Sequence, residues 1–218
     1  MKLFKLFSVS ALMLGAVAAS NAQEDASNQD SMAISFGVKG GVNFATINGG
    51  EFESPESRTS FHVGLLGEFP IADIFSIQVE ALYSGQGFEY DNTYSVIDLG
   101  APGGVRTENE TVEYQLDYIN VPVLAKFYLF KGFSLEAGPQ FSFLINEEID
   151  SAPNDNEGDT DTDNVETFDF GVAGGATFQT EMGLFATARY TQGITNIIQD
   201  SDENVTNSVF QLGIGYKF

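Results

Sequence analysis

The chain of 218 residues contains no cysteine and no tryptophan, and only one histidine. Without cysteine there are no disulfides, no thiol nucleophile and no thiolate metal site. A lone histidine cannot build a histidine-rich metal centre. Basic residues are scarce, nine against 31 acids, for a formal net charge of −22. Such a chain repels polyphosphate, so nucleic acid is excluded as a partner. Beyond residue 22 no apolar run approaches the ~20 residues that a helix needs to cross a bilayer.

The first 22 residues stand apart. Met1-Lys2-Leu3-Phe4-Lys5 is a short basic start, Leu6 to Ala19 is apolar or small without charge, and Ser20-Asn21-Ala22 offers small residues to a peptidase. This is the pattern of a secretory signal peptide cleaved after Ala22. Its loss removes two of the nine basic residues and no acid. Residues 23–32 are polar and read as a flexible lead-in, and 33–218 as one domain.

From Ala33 the chain alternates. Ile34, Phe36, Val38, Val42 and Phe44 are interleaved with Ser35, Gly37, Lys39, Gly41 and Asn43. Period two marks a strand with one apolar face. The pattern predicts strands near 33–45, 60–70, 74–88, 113–130, 133–145, 167–180, 184–195 and 207–218. In the fourth, Tyr114, Leu116 and Tyr118 fall out of phase with Ile119, Val121 and Val123, which calls for a bulge near Asp117–Tyr118. Connections around 70–74, 130–133 and 180–184 are tight; those at 46–59, 89–112, 146–166 and 196–206 are long. Short turns on one side and long loops on the other is the layout of an outer-membrane barrel, with the long loops outside the cell.

A soluble barrel would also alternate, with its apolar face inward. Three features favour the membrane. Charge is absent from the apolar phase although 18% of the chain is charged; the other phase carries Lys39, Glu68, Glu80, Lys126, Glu136, Asp169, Arg189 and Lys217. Aromatics recur eight residues apart on the apolar face: Phe36/Phe44, Phe61/Phe69, Phe75/Tyr83, Phe133/Phe141, Phe170/Phe178 and Phe210/Phe218. Eight residues span roughly 27 Å of strand, which a tilt brings close to the ~25 Å band between aromatic girdles. Finally, Gly215-Tyr216-Lys217-Phe218 ends a strand in an aromatic, resembling the signal read by outer-membrane assembly machinery. Hydrocarbon cannot satisfy a free strand edge, so 33–45 and 207–218 should pair and close the sheet. The expected fold is all-β, an eight-stranded antiparallel transmembrane up-and-down β-barrel of the Gram-negative outer membrane.

Several stretches carry a further likeness: Gly37-Val38-Lys39-Gly40-Gly41-Val42-Asn43-Phe44, Phe75 to Ser84, Tyr118 to Tyr128, Leu135-Glu136-Ala137-Gly138-Pro139-Gln140, and Ala188 to Ile197. Together they resemble the PorT-like outer-membrane β-barrel family across nearly all of the mature chain. The resemblance implies fold and location. That family is not marked by catalytic residues, so none is carried over, and the secretion role of its name-giving member is not transferred on fold alone.

The eight charges of the polar phase balance, four acids against four bases. The interior of an eight-stranded barrel is just wide enough for side chains to fill, and buried charges need partners. Glu80, Glu136 and Asp169 are therefore expected to pair with Lys126, Arg189 and Lys39, with Leu66, Leu82, Leu124, Leu144 and Phe185 helping to plug the lumen. Twenty of the 31 acids lie in the four long connections. Asp155, Glu157, Asp159, Asp161 and Asp163 form a weak Ca²⁺ candidate; the run lacks the glycine and final glutamate of an EF-hand loop, and a solvated acidic loop is the stronger reading. His62, Ser84 and Glu80 share the polar phase but face inward, without a nucleophile elbow, so no enzyme and no cofactor is expected. The reading is an integral barrel of structural or surface-interaction type. Its partners would be outer-membrane lipid, the assembly machinery, and an extracellular or envelope protein met by the acidic loops. The alternative is a transport or protein-secretion component, porin-like or translocon-associated.

Overall fold

The computed structural model describes residues 33–49, 55–97, 105–150, 160–161, 165–197 and 205–218, with 91–97, 105–110 and 160–161 described by backbone alone. The expected leader, with cleavage after Ala22, and the expected 23–32 lead-in lie outside the described residues. The strands are β1 (Ser35–Asn48), β2 (Glu56–Ala72), β3 (Phe75–Ile97), β4 (Val105–Phe130), β5 (Phe133–Asp150), β6 (Thr160–Asp161), β7 (Phe168–Gln179), β8 (Leu184–Gly193) and β9 (Thr206–Lys217). Every pairing is antiparallel. The order runs β4-β3-β2-β1-β9-β8-β7-β5, and β4 also pairs β5, so eight strands close into a ring. First and last strands meet from Gly37↔Lys217 to Asn48↔Thr206, as closure in hydrocarbon requires. The two-residue β6 adds to the free end of β5.

Alternation decides which side chains face out. Phe61 is 56% exposed, Val63 52% and Ile214 68%, while Lys39, Glu80 and Arg189 are at most 2% exposed. A soluble fold would reverse this. The outward aromatics touch across neighbouring strands and form two rows. Phe44–Phe210, Phe61–Tyr83 and Phe141–Phe170 lie toward the long-loop end, with ring centroids 6.4, 5.2 and 5.4 Å apart. Phe75–Phe127 and Phe130–Phe133, both at 5.0 Å, lie at the short-turn end. Two of the tight turns place Gly132 and Gly183 at φ of 83° and 88°, a conformation that other residues adopt only under strain.

Two expectations are corrected here. Residues 89–112 are not one long loop: β3 and β4 stay paired to Ile97↔Val105, far beyond the aromatic rows. Nor does β4 change phase at Asp117–Tyr118. Tyr118, Leu116 and Val112 are buried on the same side as Asn120, Leu124 and Lys126. The extra residue is Ile145 on β5, between the pairs Asp117↔Asn146 and Tyr118↔Leu144. The reason is a change of surroundings. Beside lipid the inner face is polar. Above the aromatic rows the outer face meets water, so the inner face becomes the apolar one. Ile47, Phe88, Leu116, Tyr118, Val165, Ile197 and Val205 pack there into one buried cluster, with Tyr90, Tyr114 and Leu144 against it.

Candidate functional site

The lumen gathers the charged residues in layers set by strand register. At mid-height Arg189 of β8 forks onto Glu80 of β3, Nη1 to Oε2 at 2.8 Å and Nη2 to Oε1 at 2.7 Å. The same guanidinium reaches Glu136 of β5, Nε to Oε1 at 2.9 Å and Nη2 to Oε1 at 2.6 Å. Gly175 of β7 sits in register between Glu136 and Arg189, and its lack of a side chain clears the path; a Cβ there would lie 3.2 Å from that of Arg189. Lys39 of β1 adds a contact to Glu80 at 3.3 Å. Thr177 and Gln78 donate to Glu136 and Glu80 at 3.0 and 2.5 Å. Planar two-point contacts of this kind are the strong form of ion pair. The space between Lys39, Glu80, Phe185 and Arg189 is too small to admit a water-sized sphere.

At the short-turn end Glu68 gathers two lysines. Lys126 Nζ stands 3.4 Å from Glu68 Oε2, and Lys217 Nζ donates to the same oxygen. Ser76 donates to Glu68 Oε1 at 2.5 Å, and the Tyr128 hydroxyl donates there too. Gln78 and Gln179 each accept from one of the lysines at 3.1 Å.

The expected pairing differs in two respects. Lys126 serves Glu68 rather than the mid-height acids. Asp169 pairs with no cation among the described residues; it accepts from Thr195 Oγ1 at 2.5 Å. Lys126 stands in register with Glu136, but its ammonium turns to Glu68 and Gln78; height explains Asp169. Asp169 is the second residue of β7, in register with Ser142, whereas Glu136 sits six residues lower on β5 opposite Gly175. Period two gave the face of each residue but not its level.

Above the charged layer lies a neutral polar one, centred on Asn43, which sequence reasoning did not single out. Its Nδ2 donates to Ser84 Oγ at 3.0 Å and Gly85 O at 2.7 Å, and its Oδ1 lies 2.7 Å from His62 Nδ1. Asn43 thus stands between His62 and Ser84, and Glu80 is taken up by Arg189 and Lys39. The three form no catalytic relay, and all are buried. The inward phase of a polar residue in β1 was the available signal for Asn43. Leu66, Leu82, Leu124 and Phe185 are buried in the lumen, and Leu144 is partly buried against the outer cluster. The acidic run Asp155, Glu157, Asp159, Asp161 and Asp163 lies outside the described residues, apart from the backbone of Asp161, which pairs with Glu148.

The ring of strands has counterparts among solved structures. It is similar to Neisserial surface protein A, with a TM-score of 0.54 and 16% identity over 85% of this chain and 99% of that one. It is also similar to Ail, the attachment invasion locus protein of Yersinia pestis, at a TM-score of 0.48 and 12% identity over 86% and 100%. Outer membrane protein OprG of Pseudomonas aeruginosa gives 0.46 and 15% over 86% and 97%. At such identities the likeness is one of fold. No curated protein sequence matches this chain. Residues 21–199 match the outer membrane protein beta-barrel domain, and with the closed ring and the apolar outer wall, the chain belongs to that family of outer-membrane β-barrels.

Proposed function

We propose that this barrel is a structural or surface-contact element of the outer membrane whose lumen passes no solute. The observation that carries the reading is the filling of the lumen at three levels: Glu68 with its two lysines, the Arg189 fork on Glu80 and Glu136, and the apolar cluster closing the outer end. A solute would have to part buried ion pairs, which costs several kcal/mol for each charge left without its partner (about 3–5 kcal/mol).

What remains for function is the outer surface. Residues 46–59, 89–112, 146–166 and 196–206 together hold 20 of the 31 acids, and β3 and β4 carry the chain well above the aromatic rows. The contact surface is then anionic, suited to an extracellular or envelope protein of basic surface, and its attraction weakens with salt. The reading includes export with removal of the leader after Ala22 and insertion through the C-terminal strand. Refolded protein in a planar lipid bilayer is expected to give a flat current trace under applied voltage. Stable, uniform conductance steps would overturn the closed lumen and favour a transport component.

A further inference from the structure

Acids and bases balance in the lumen as a whole but not level by level. Glu80 and Glu136 face Arg189 and Lys39 at mid-height, Lys126 and Lys217 share Glu68 at the short-turn end, and Asp169 stands at the outer end without a cation among the described residues. It is 4% exposed, and its carboxylate accepts from the Thr195 hydroxyl and the backbone N–H of Phe170. Two neutral donors leave the charge of a buried carboxylate unbalanced.

The neighbours of Asp169 are unusual in the same place. Asp169 is in register with Ser142, and Ser142 with Asn120, so three inward residues lie side by side on β7, β5 and β4. Asn120 is 1% exposed, and neither its Oδ1 nor its Nδ2 has a partner among the described residues. One inward position further out, the fully buried Tyr118 hydroxyl also lacks a partner and lies within electrostatic reach of Asp169. The other carboxylate within reach of Tyr118, Glu147, is engaged by the backbone N–H of Val165 at 3.0 Å. On the far side, Gly171 and Gly193 face each other in register. A Cβ on Gly193 would come within 3.3 Å of Asp169 Oδ1, so the glycine keeps the flank of the carboxylate clear.

We propose that these groups form a site for one monovalent alkali cation, seated on the Asp169 carboxylate with Asn120 Oδ1 and Tyr118 Oη as neutral oxygens. Hard oxygen donors suit such an ion, and one carboxylate cancels one charge. A divalent cation would remain net positive in a buried space. The ion also has a mechanical role. Thr195, which donates to Asp169, accepts the backbone N–H of Phe170 at 2.9 Å, and Ile197 just beyond it enters the apolar cluster. Occupancy fastens that segment over the outer end of the lumen.

The test follows thermal unfolding of the refolded chain in detergent by gel mobility or circular dichroism. Sodium or potassium chloride replaces choline chloride at constant ionic strength, choline being too large for the site. The wild-type midpoint is expected to rise with the logarithm of cation concentration, by about 3 °C or more across the titration. Asp169→Asn should show no such dependence, and in choline its midpoint should equal or exceed that of the wild type. Asn120→Leu keeps the carboxylate and should displace the titration at least tenfold toward higher concentration, a readout that survives if Asp169→Asn folds poorly. Identical wild-type midpoints in choline and alkali chloride would overturn the site, as would an undiminished response in Asp169→Asn or an unshifted titration in Asn120→Leu.

Discussion

An Arg189→Met barrel is expected to lose on the order of 3–5 kcal/mol of stability, the usual consequence of removing one partner from a buried ion pair. Methionine fills much of the same volume, so packing is not the main loss. What changes is that Glu80 and Glu136, both buried, lose all four of their guanidinium contacts. Lys39 then remains for Glu80 alone. A second substitution separates this from ordinary core damage. Adding Glu136→Gln to Arg189→Met removes one uncompensated charge and should recover part of the loss, a non-additivity that independent sites do not show. Urea titration in detergent, followed by circular dichroism because the chain has no tryptophan, reads both effects. An Arg189→Met barrel as stable as the wild type would mean that the network does not hold the lumen.

Ile214→Arg should cost about 2–4 kcal/mol when the protein is folded into lipid vesicles. Ile214 faces outward on β9, 68% exposed, midway in the chain between Phe210 and Phe218. It therefore sits near the middle of the apolar band. On a water-facing sheet the same exchange at so exposed a position would stay within about 0.5 kcal/mol of neutral. The size of the effect thus reports which solvent the wall meets. Urea unfolding in vesicles measures it, with Ile214→Val as the control that keeps the surface apolar.

Much of this was legible in the chain because the bilayer imposes one rule on every strand that crosses it. Where residues face lipid, period two is kept strictly, so Phe36 to Phe44, Phe61 to Phe69 and Phe210 to Phe218 could be assigned to the wall. Closure of the first strand on the last followed from the cost of a free edge. The rule stops where the lipid stops. Tyr114, Leu116 and Tyr118 look out of phase because period two takes an inward apolar residue for an outward one; the inner face turns apolar above the aromatic rows. For the same reason residues 89–97 and 105–112 look like loop, although β3 and β4 are paired there. In the lumen, phase identifies the eight charged residues, and Arg189 and Lys39 do meet Glu80 and Glu136, but phase does not fix every partner. Partnership depends on level and on the gaps left by residues such as Gly175, which only register reveals. Phase alone therefore groups Asp169 with Glu80 and Glu136 and leaves Glu68 without its two lysines.

The absence of native cysteine permits single-cysteine labelling along β8 with a fluorophore, in vesicles whose acyl chains carry a quencher. Labels at Ala186, Ala188 and Tyr190 should be quenched, and those at the inward Phe185, Thr187 and Thr191 should not. Equal quenching along the strand, or the opposite alternation, would contradict a barrel that turns its apolar wall to lipid and keeps its charges within.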